Sequence, residues 1–329
     1  MAVGEWGIGE TESRVVEQIV LVVPVVDGRS GALDAFAIVP ESGPTLNPFL
    51  QAVYGVDLLS TPAEEFRNQG VLPNAMHRQL WEERTVREWV QLQSRWGISD
   101  VIAPAARRLD LPIIAEGQGR TLFEIPSAAS AASGLRAVLL DPTHSAWSEP
   151  APDTFLATVE TTAGDFVIQV VRAWAPIGAD RFFNLVRHGY YDDARVRRVV
   201  PGFITQWGVA GDPEVTAVWY DRGMPDDPVA ASNVRGTVAF AFTDPGTRST
   251  RIYINMVDNS RHDSQGFTPF GSVIEGLESA VDSIYSGYGE ESGGGVRAGN
   301  QASLVESGNA YLDTQFPELD RIIRVRVSG

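Results

Sequence analysis

The chain has neither cysteine nor lysine. Without thiols there is no disulfide framework, thiolate nucleophile or cysteine-type zinc site, a composition equally compatible with a reducing or an oxidising compartment. Without lysine no Walker A phosphate loop can be completed, and no Schiff base can form with a carbonyl substrate or a pyridoxal cofactor. Histidine is scarce: His77, His144, His188 and His262 lie far apart, without the paired spacing of a metal site. Neither a metal nor an organic cofactor is therefore expected. Long apolar runs are also missing, since the longest, Ile19 to Val26, is about eight residues against the roughly 20 needed to cross a bilayer. Residues 1–14 hold three acids before the first arginine, the reverse of a secretory leader's basic start. The chain thus reads as cytoplasmic as it stands, or as periplasmic or otherwise extracytoplasmic where a leader has been removed. No nucleophile elbow accompanies a Ser-His-Asp order, and the glycines around Gly287 to Gly295 do not complete a dinucleotide fingerprint.

What is present is acid, arginine and many short β-rich runs. The net charge is −16, with 15 Arg against 23 acids from residue 153 onward, so nucleic acid is not an expected partner. Within that acidic background Arg197-Arg198-Val199-Val200-Pro201-Gly202-Phe203-Ile204-Thr205-Gln206-Trp207-Gly208 stands out. Its β-branched pair leads into a Pro-Gly break, which predicts strand, turn, strand and brings Arg198, Phe203 and Gln206 towards one surface. Thr154 to Val159 and Phe166 to Val171 read as a hairpin, Ala179 to Arg187 as a helix, and Gly236 to Ala241 and Arg251 to Asn255 as strands. Phe267 to Gly276 reads as turn, strand and helix start, and an excursion from Tyr285 to Leu319 precedes a closing strand, Arg321 to Val327.

The motifs R-V-V-P-G-F-I-x-Q, G-T-V-A-F-A, I-N-M-V-D-N and F-T-P-F-G-S-V-I-E-G occur in an order and spacing that resemble a bacterial cyclophilin, one of the peptidyl-prolyl cis-trans isomerases. The likeness covers about Thr154 to Val327. It implies a mainly β fold, a closed antiparallel eight-stranded cyclophilin-like barrel with capping helices, acting on X-Pro bonds of peptides and unfolded proteins without a cofactor. It implies that Arg198 is the catalytic arginine and that Gln206 holds the substrate carbonyl or steadies Arg198. Phe203 and Tyr253 would seat the proline ring, with Ile204 and Ala241 completing the floor. Phe242, Arg251, His262 and Phe267 would border the groove, and each departs from the family's usual residue: Arg251 replaces a glutamine, Phe242 an asparagine, Phe267 a histidine, while Arg261-His262 replaces a tryptophan and leucine. Trp207 stands in place of a glycine, where it would narrow the groove. The altered rim implies weak or no cyclosporin binding. It also leaves room for a different class of function, a non-catalytic module or chaperone that grips a Pro-containing segment.

The N-terminal part reads as a small α/β domain of unknown role, residues 1–126. Ile19 to Val26 and Ala35 to Val39 are strand-like, Asn74 to Trp96 is helical, and Ile98 to Ala103, Leu111 to Ala115 and Thr121 to Ile125 are strand-like again. Trp81, Trp89 and Trp96, seven or eight residues apart, mark a core stripe along that helix. Residues 127–152, rich in Ser, Ala and Pro, are expected as a linker, and 153–329 as the isomerase-like domain.

Overall fold

The computed structural model describes residues 36–37, 84–96, 100–104, 109–117, 120–293 and 301–328. It divides into two compact units, residues 1–134 and 135–329.

In the first unit a helix and an antiparallel sheet form a small α and β assembly. The helix α1, Val86–Trp96, begins at a reciprocal capping box: Thr85 N donates to Glu88 Oε2 at 2.7 Å and Glu88 N to Thr85 Oγ1 at 3.4 Å. A start fixed there interrupts the continuous helix expected over Asn74 to Trp96; residues 74–83, with Trp81, lie outside the described residues, as does Ile19 to Val26. Trp89 is buried together with Val90 and Leu92; Trp81 and the side chain of Trp96, the other members of the expected stripe, lie outside the described residues. The strands β1 (Phe36–Ala37), β2 (Asp100–Pro104), β3 (Ile113–Gly117) and β4 (Arg120–Glu124) pair antiparallel in the order β1-β2-β4-β3. The hairpin expected between the last two is β3–β4.

The division between the units falls inside α2, Ala128–Leu140, a helix where a Ser/Ala-rich linker was expected. Alanine's helix propensity explains the difference. From Leu135 onward this stretch is fastened to the second unit. Trp219 Nε1 donates to Leu139 O at 2.7 Å, Arg136 pairs with Asp212 and Glu214, and Trp147 packs edge-on against Trp219 at 4.6 Å.

The second unit is a curled eight-stranded antiparallel sheet, mainly β with helices against it. Its strands are β5 (Thr154–Thr161), β6 (Phe166–Val171), β7 (Arg198–Val200), β8 (Ile204–Trp207), β9 (Thr237–Phe240), β10 (Ile252–Asn255), β11 (Pro269–Glu275) and β12 (Ile322–Ser328), in the order β12-β5-β6-β11-β9-β10-β8-β7. The two end strands do not share a ladder. The chain just outside them meets instead at one bridge, Arg195–Arg321, where Val196 N donates to Asp320 O and Ile322 N to Ala194 O, both at 2.8 Å. The closed barrel expected from the sequence is thus a curled sheet drawn together at a single bridge.

Period-two alternation drives the packing. Phe155, Ala157 and Val159 on β5 and Phe166, Ile168 and Val170 on β6 face the core, where they meet Phe182, Leu185 and Val186 of α3, Pro176–Arg187. The α3 N-terminus is held by Asp227, which accepts from Ile177 N and Gly178 N at 2.9 Å each and pairs with buried Arg248. Where a helix start was expected near Glu275, the chain makes a turn and a short 3₁₀ segment, Val281–Ser283. Gly276 has φ 80°, a left-handed conformation that breaks a helix at its first step.

Candidate functional site

β8, β9 and β10 are buried on both faces, so each strand contributes to two different clusters. Trp207, Val238, Phe240, Ile252 and Ile254 point into the main core. Their neighbours Ile204, Ala239 and Tyr253 point the other way and form a second apolar cluster with Phe203, Ala241 and Phe267. Trp207 is 1 % exposed and packs edge-on against Phe166 at 6.0 Å. It therefore does not narrow the groove: Gln206 faces outward, and strand parity turns the next residue inward.

Strand register sets the site. Arg198 on β7 pairs with Gln206 on β8, Gln206 with Tyr253 on β10, Tyr253 with Ala239 on β9, and Ala239 with Pro269 on β11, one row across five strands. The turn between β7 and β8 is the expected Pro-Gly break, closed by Phe203 N donating to Val200 O at 2.9 Å, with Gly202 at φ 72°. It swings Phe203 back over the row, so that the Arg198 guanidinium lies 5.6 Å from the Phe203 ring centre.

The Arg198 side chain is 13 % exposed. Its Nη1 donates to Gln206 Oε1 at 2.9 Å, its Nε to Glu290 Oε1 at 3.1 Å, and its Nη2 to the same Glu290 oxygen. A guanidinium has five N–H donors. Three are engaged, leaving one on each terminal nitrogen.

The apolar seat beside Arg198 is walled by rings. Phe203 meets His262 edge-on at 5.5 Å, His262 meets Phe267 at 5.1 Å, Phe267 stacks on Phe242 at 4.2 Å, and Tyr253 meets Phe267 edge-on at 6.0 Å. Burial, with Arg261 beside it, lowers the His262 pKa below its ordinary value, so the ring is a neutral wall at pH 7. Burial holds the Tyr253 phenol protonated, its pKa raised well above the ordinary value. The expected residues Arg198, Gln206, Phe203, Ile204, Ala241, Phe242, Tyr253, His262 and Phe267 thus form one connected patch.

Arg251 stands beside that patch. It lies two residues from Tyr253 on the same strand face, its carbonyl accepts from Ala241 N at 2.8 Å, and its guanidinium sits 5.0 Å from the Tyr220 ring centre. Gly208 makes this approach possible: at φ 113°, a Cβ there would lie 2.3 Å from Thr250 O and 2.7 Å from Arg251 Cα.

Several supporting residues carry no local sequence signal. Glu290 arrives from the excursion, 92 residues beyond Arg198, on a segment whose Gly289 O accepts from Val199 N and whose Ser292 Oγ donates to Arg197 O at 2.6 Å. Beneath the seat runs a buried amide network. Tyr253 OH donates to Asn233 Oδ1 at 2.9 Å, Asn233 Nδ2 to Phe267 O at 2.8 Å, Asn255 Nδ2 to Asn233 Oδ1 at 3.2 Å, and Asn259 Nδ2 to Phe203 O at 3.0 Å. Asn233, Asn255 and Asn259 thus fix the backbone or side chain of three of the rings. Among the described residues no cluster of potential metal ligands occurs, and no helix is long and apolar enough to cross a membrane.

Residues 156–297 match the family model for cyclophilin-type peptidyl-prolyl cis-trans isomerases. A peptidyl-prolyl cis-trans isomerase-like 3 protein of Rhizopus delemar is 31 % identical over 136 residues, 38 % of this chain and 78 % of that protein. A peptidyl-prolyl cis-trans isomerase of Acinetobacter baylyi is 30 % identical over 145 residues, 39 % of this chain and 71 % of that protein. Among solved structures, a Cryptosporidium parvum cyclophilin is matched at TM-score 0.40 and 18 % identity, over 54 % of this chain and 98 % of that one. The same protein determined in the presence of the dipeptide Ala-Pro is matched at TM-score 0.39 and 19 % identity, over 53 % of this chain and 99 % of that one. Through residues 156–297, and by its identity to relatives it covers over most of their length, the chain belongs to the cyclophilin-type peptidyl-prolyl cis-trans isomerase family.

Proposed function

We propose that this chain is a peptidyl-prolyl cis-trans isomerase acting on X-Pro bonds of peptides and unfolded proteins, with Arg198 as its catalytic residue. The barrier to turning a peptide bond, about 18–20 kcal/mol, comes from delocalisation of the nitrogen lone pair into the carbonyl. In the twisted transition state that lone pair returns to a pyramidal nitrogen and can accept a hydrogen bond. A guanidinium N–H aimed there binds the transition state more tightly than either planar ground state, which is the condition for acceleration. Arginine suits the role because it stays charged and its fork is rigid.

The observation that carries this reading is the Arg198 guanidinium, fixed by Gln206 and Glu290 with two N–H groups unspent, beside a seat of Phe203, Ile204, Ala239, Ala241, Tyr253 and Phe267. A proline ring is apolar and flat enough to sit against such walls. The step moves no proton and forms no covalent bond, so the chemistry asks for nothing beyond these residues.

The test is the cis-to-trans exchange rate of a Pro-containing peptide with the full chain. Arg198→Ala is expected to lose at least tenfold while the protein remains folded; unchanged acceleration would remove Arg198 from the mechanism. The pairing of Arg198 with Glu290, which offsets part of its charge, favours a second reading: a binding module or chaperone that holds Pro segments without turning them. That reading predicts chemical-shift perturbation by a Pro peptide whose exchange rate does not change. On either reading Arg261 and His262 leave the rim without the indole that borders the pocket in many relatives, so cyclosporin is expected to bind weakly. Submicromolar affinity in a titration would contradict this.

A further inference from the structure

Unpaired arginines border the peptide groove of a strongly acidic protein. Two guanidiniums border the proline seat with no carboxylate within ion-pair distance among the described residues, Arg251 and Arg261, and buried Arg197 has none either. Arg198, by contrast, is paired with Glu290. Uncompensated positive charge therefore lies beside the catalytic arginine rather than on it.

Each of the three is placed by packing. Arg261 is exposed and sits 5.5 Å from the centre of the Phe203 ring, the ring that Arg198 also approaches. Arg251 lies on the Tyr253 side of the row, cushioned on Tyr220, with its Nε buried and unpartnered. Arg197 is 2 % exposed, and its Nε also lacks a partner. Burial lowers its pKa to about 10, with Arg251 and Arg198 adding to the effect, yet it stays charged at neutral pH. Arg197 cannot touch a peptide, but a cation with no counter-ion in a low-dielectric setting projects its field outward.

The acids nearest Arg261 in sequence keep their charge but are held by neutral donors and do not pair with it. Asp258 accepts from Ser260 N at 2.9 Å, and Asp263 accepts from Ser232 Oγ and from Asn233 N and Nδ2. At physiological salt the screening length is about 8 Å. The −16 net charge of the whole chain is thus damped at the groove, where the nearby charges decide: Arg251 and Arg261 are unpaired, Glu290 is spent on Arg198, and Asp263 is turned to Ser232 and Asn233.

Resting on the isomerase reading, we propose that the groove selects X-Pro segments bearing a carboxylate side chain directly before or after the proline, read by Arg251 on one side of the seat and Arg261 on the other. Lysine or arginine at those places is disfavoured, because it would meet the same guanidiniums with like charge. A neutral peptide falls between the two.

The experiment uses the full chain and two peptide series, Ala-Xaa-Pro-Ala and Ala-Pro-Xaa-Ala with blocked ends and Xaa Glu, Gln or Lys. Exchange rates come from NMR exchange spectroscopy and affinities from chemical-shift titration, each at 50 mM and 500 mM NaCl. In at least one series Glu is expected to exceed Lys about tenfold in kcat/KM at low salt (~1.4 kcal/mol), and the gap is expected to narrow below threefold at high salt. The double variant Arg251→Gln/Arg261→Gln is scored only by its own Glu-to-Lys ratio, which should approach one. Equal handling of Glu and Lys by the native chain, or a ratio untouched by the double variant, overturns the proposal. Should no peptide be turned faster by the protein, the isomerase reading fails, and the affinity order in the same titrations still decides the charge preference.

Discussion

At the scale of single residues the site turns on how a flexible side chain is held. An arginine loses rotamer entropy worth up to about 2 kcal/mol when fixed, and catalysis by a hydrogen bond to a pyramidal nitrogen depends on having that cost met before substrate arrives. Gln206 alone would leave the guanidinium free to pivot about Nη1. Glu290, taking Nε and Nη2 together, stops the pivot and leaves the two remaining N–H groups fixed in direction. On the isomerase reading Glu290 is therefore a positioning residue. Glu290→Ala is expected to lower kcat about three- to tenfold with little change in KM for a neutral Pro peptide. Glu290→Gln, whose amide oxygen can accept the same bonds, should recover much of the loss. A faster Glu290→Ala enzyme would mean that the pairing restrains catalysis instead. Of these residues Arg198, Phe203 and Gln206 were legible in the sequence, because the Pro-Gly turn brings positions five and eight apart onto one surface. Glu290 was not, since nothing in a Gly-rich stretch 92 residues away marks which carboxylate will reach back.

At the scale of elements the proline seat is built from the outer faces of strands whose inner faces form the main core, so its walls inherit the rigidity of the sheet. The strands themselves were readable as β-branched and aromatic runs, and parity along β8 also dictates that Gln206 and Trp207 face opposite ways. The expectation of a narrowed groove at Trp207 arose from comparing positions with a family pattern and ignoring parity. The polar layer under the seat was not readable, because Asn233 works through contacts with residues 20 to 34 positions away. Its Oδ1 accepts from Tyr253 OH and Asn255 Nδ2, and its Nδ2 donates to Asp263 Oδ1 and Phe267 O. Asn233→Ala would leave the buried Tyr253 hydroxyl without its acceptor, and a stranded buried polar group costs about 1–3 kcal/mol. The expected outcome is a stability loss of about 2–3 kcal/mol in urea unfolding of the second unit's signal. Affinity for a Pro peptide should fall several-fold, because Phe267 and Tyr253 lose their common anchor. A loss of stability with affinity retained would show that the network supports the fold but not the seat.

At the scale of the whole molecule the curled sheet is drawn together from its two ends, and charge at one of those ends makes it sensitive to acid. On the β5–β12 pair, Glu160 receives Arg324 Nε at 2.8 Å and also Arg326 Nη2, clamping a strand from the start of the unit to its last strand. Burial alone would push the Glu160 carboxyl up, but the two arginines outweigh it and hold its pKa below the ordinary value. The same balance holds at Asp180, where burial is outweighed by Arg172, bound through both carboxylate oxygens at 2.7 and 2.8 Å, and by Ala151 N. A carboxylate whose pKa is lowered by folding contributes its full stabilisation above the unfolded value, near 4 to 4.5, and loses it as pH falls through the folded one. Protonation also relieves the self-repulsion of a −16 chain, which works in the opposite direction, so the absolute acid curve of the native protein does not isolate the clamp. The difference between native protein and Glu160→Gln does isolate it, because the general relief is common to both. That gap, on the order of 1 kcal/mol for a partly exposed cluster, should stay constant from pH 8 to about pH 5 and close as pH falls below about 4. Urea midpoints at half-unit pH steps measure it. A gap that persists undiminished at pH 3 would show that the ion pairs at Glu160 do not fasten β12 to β5.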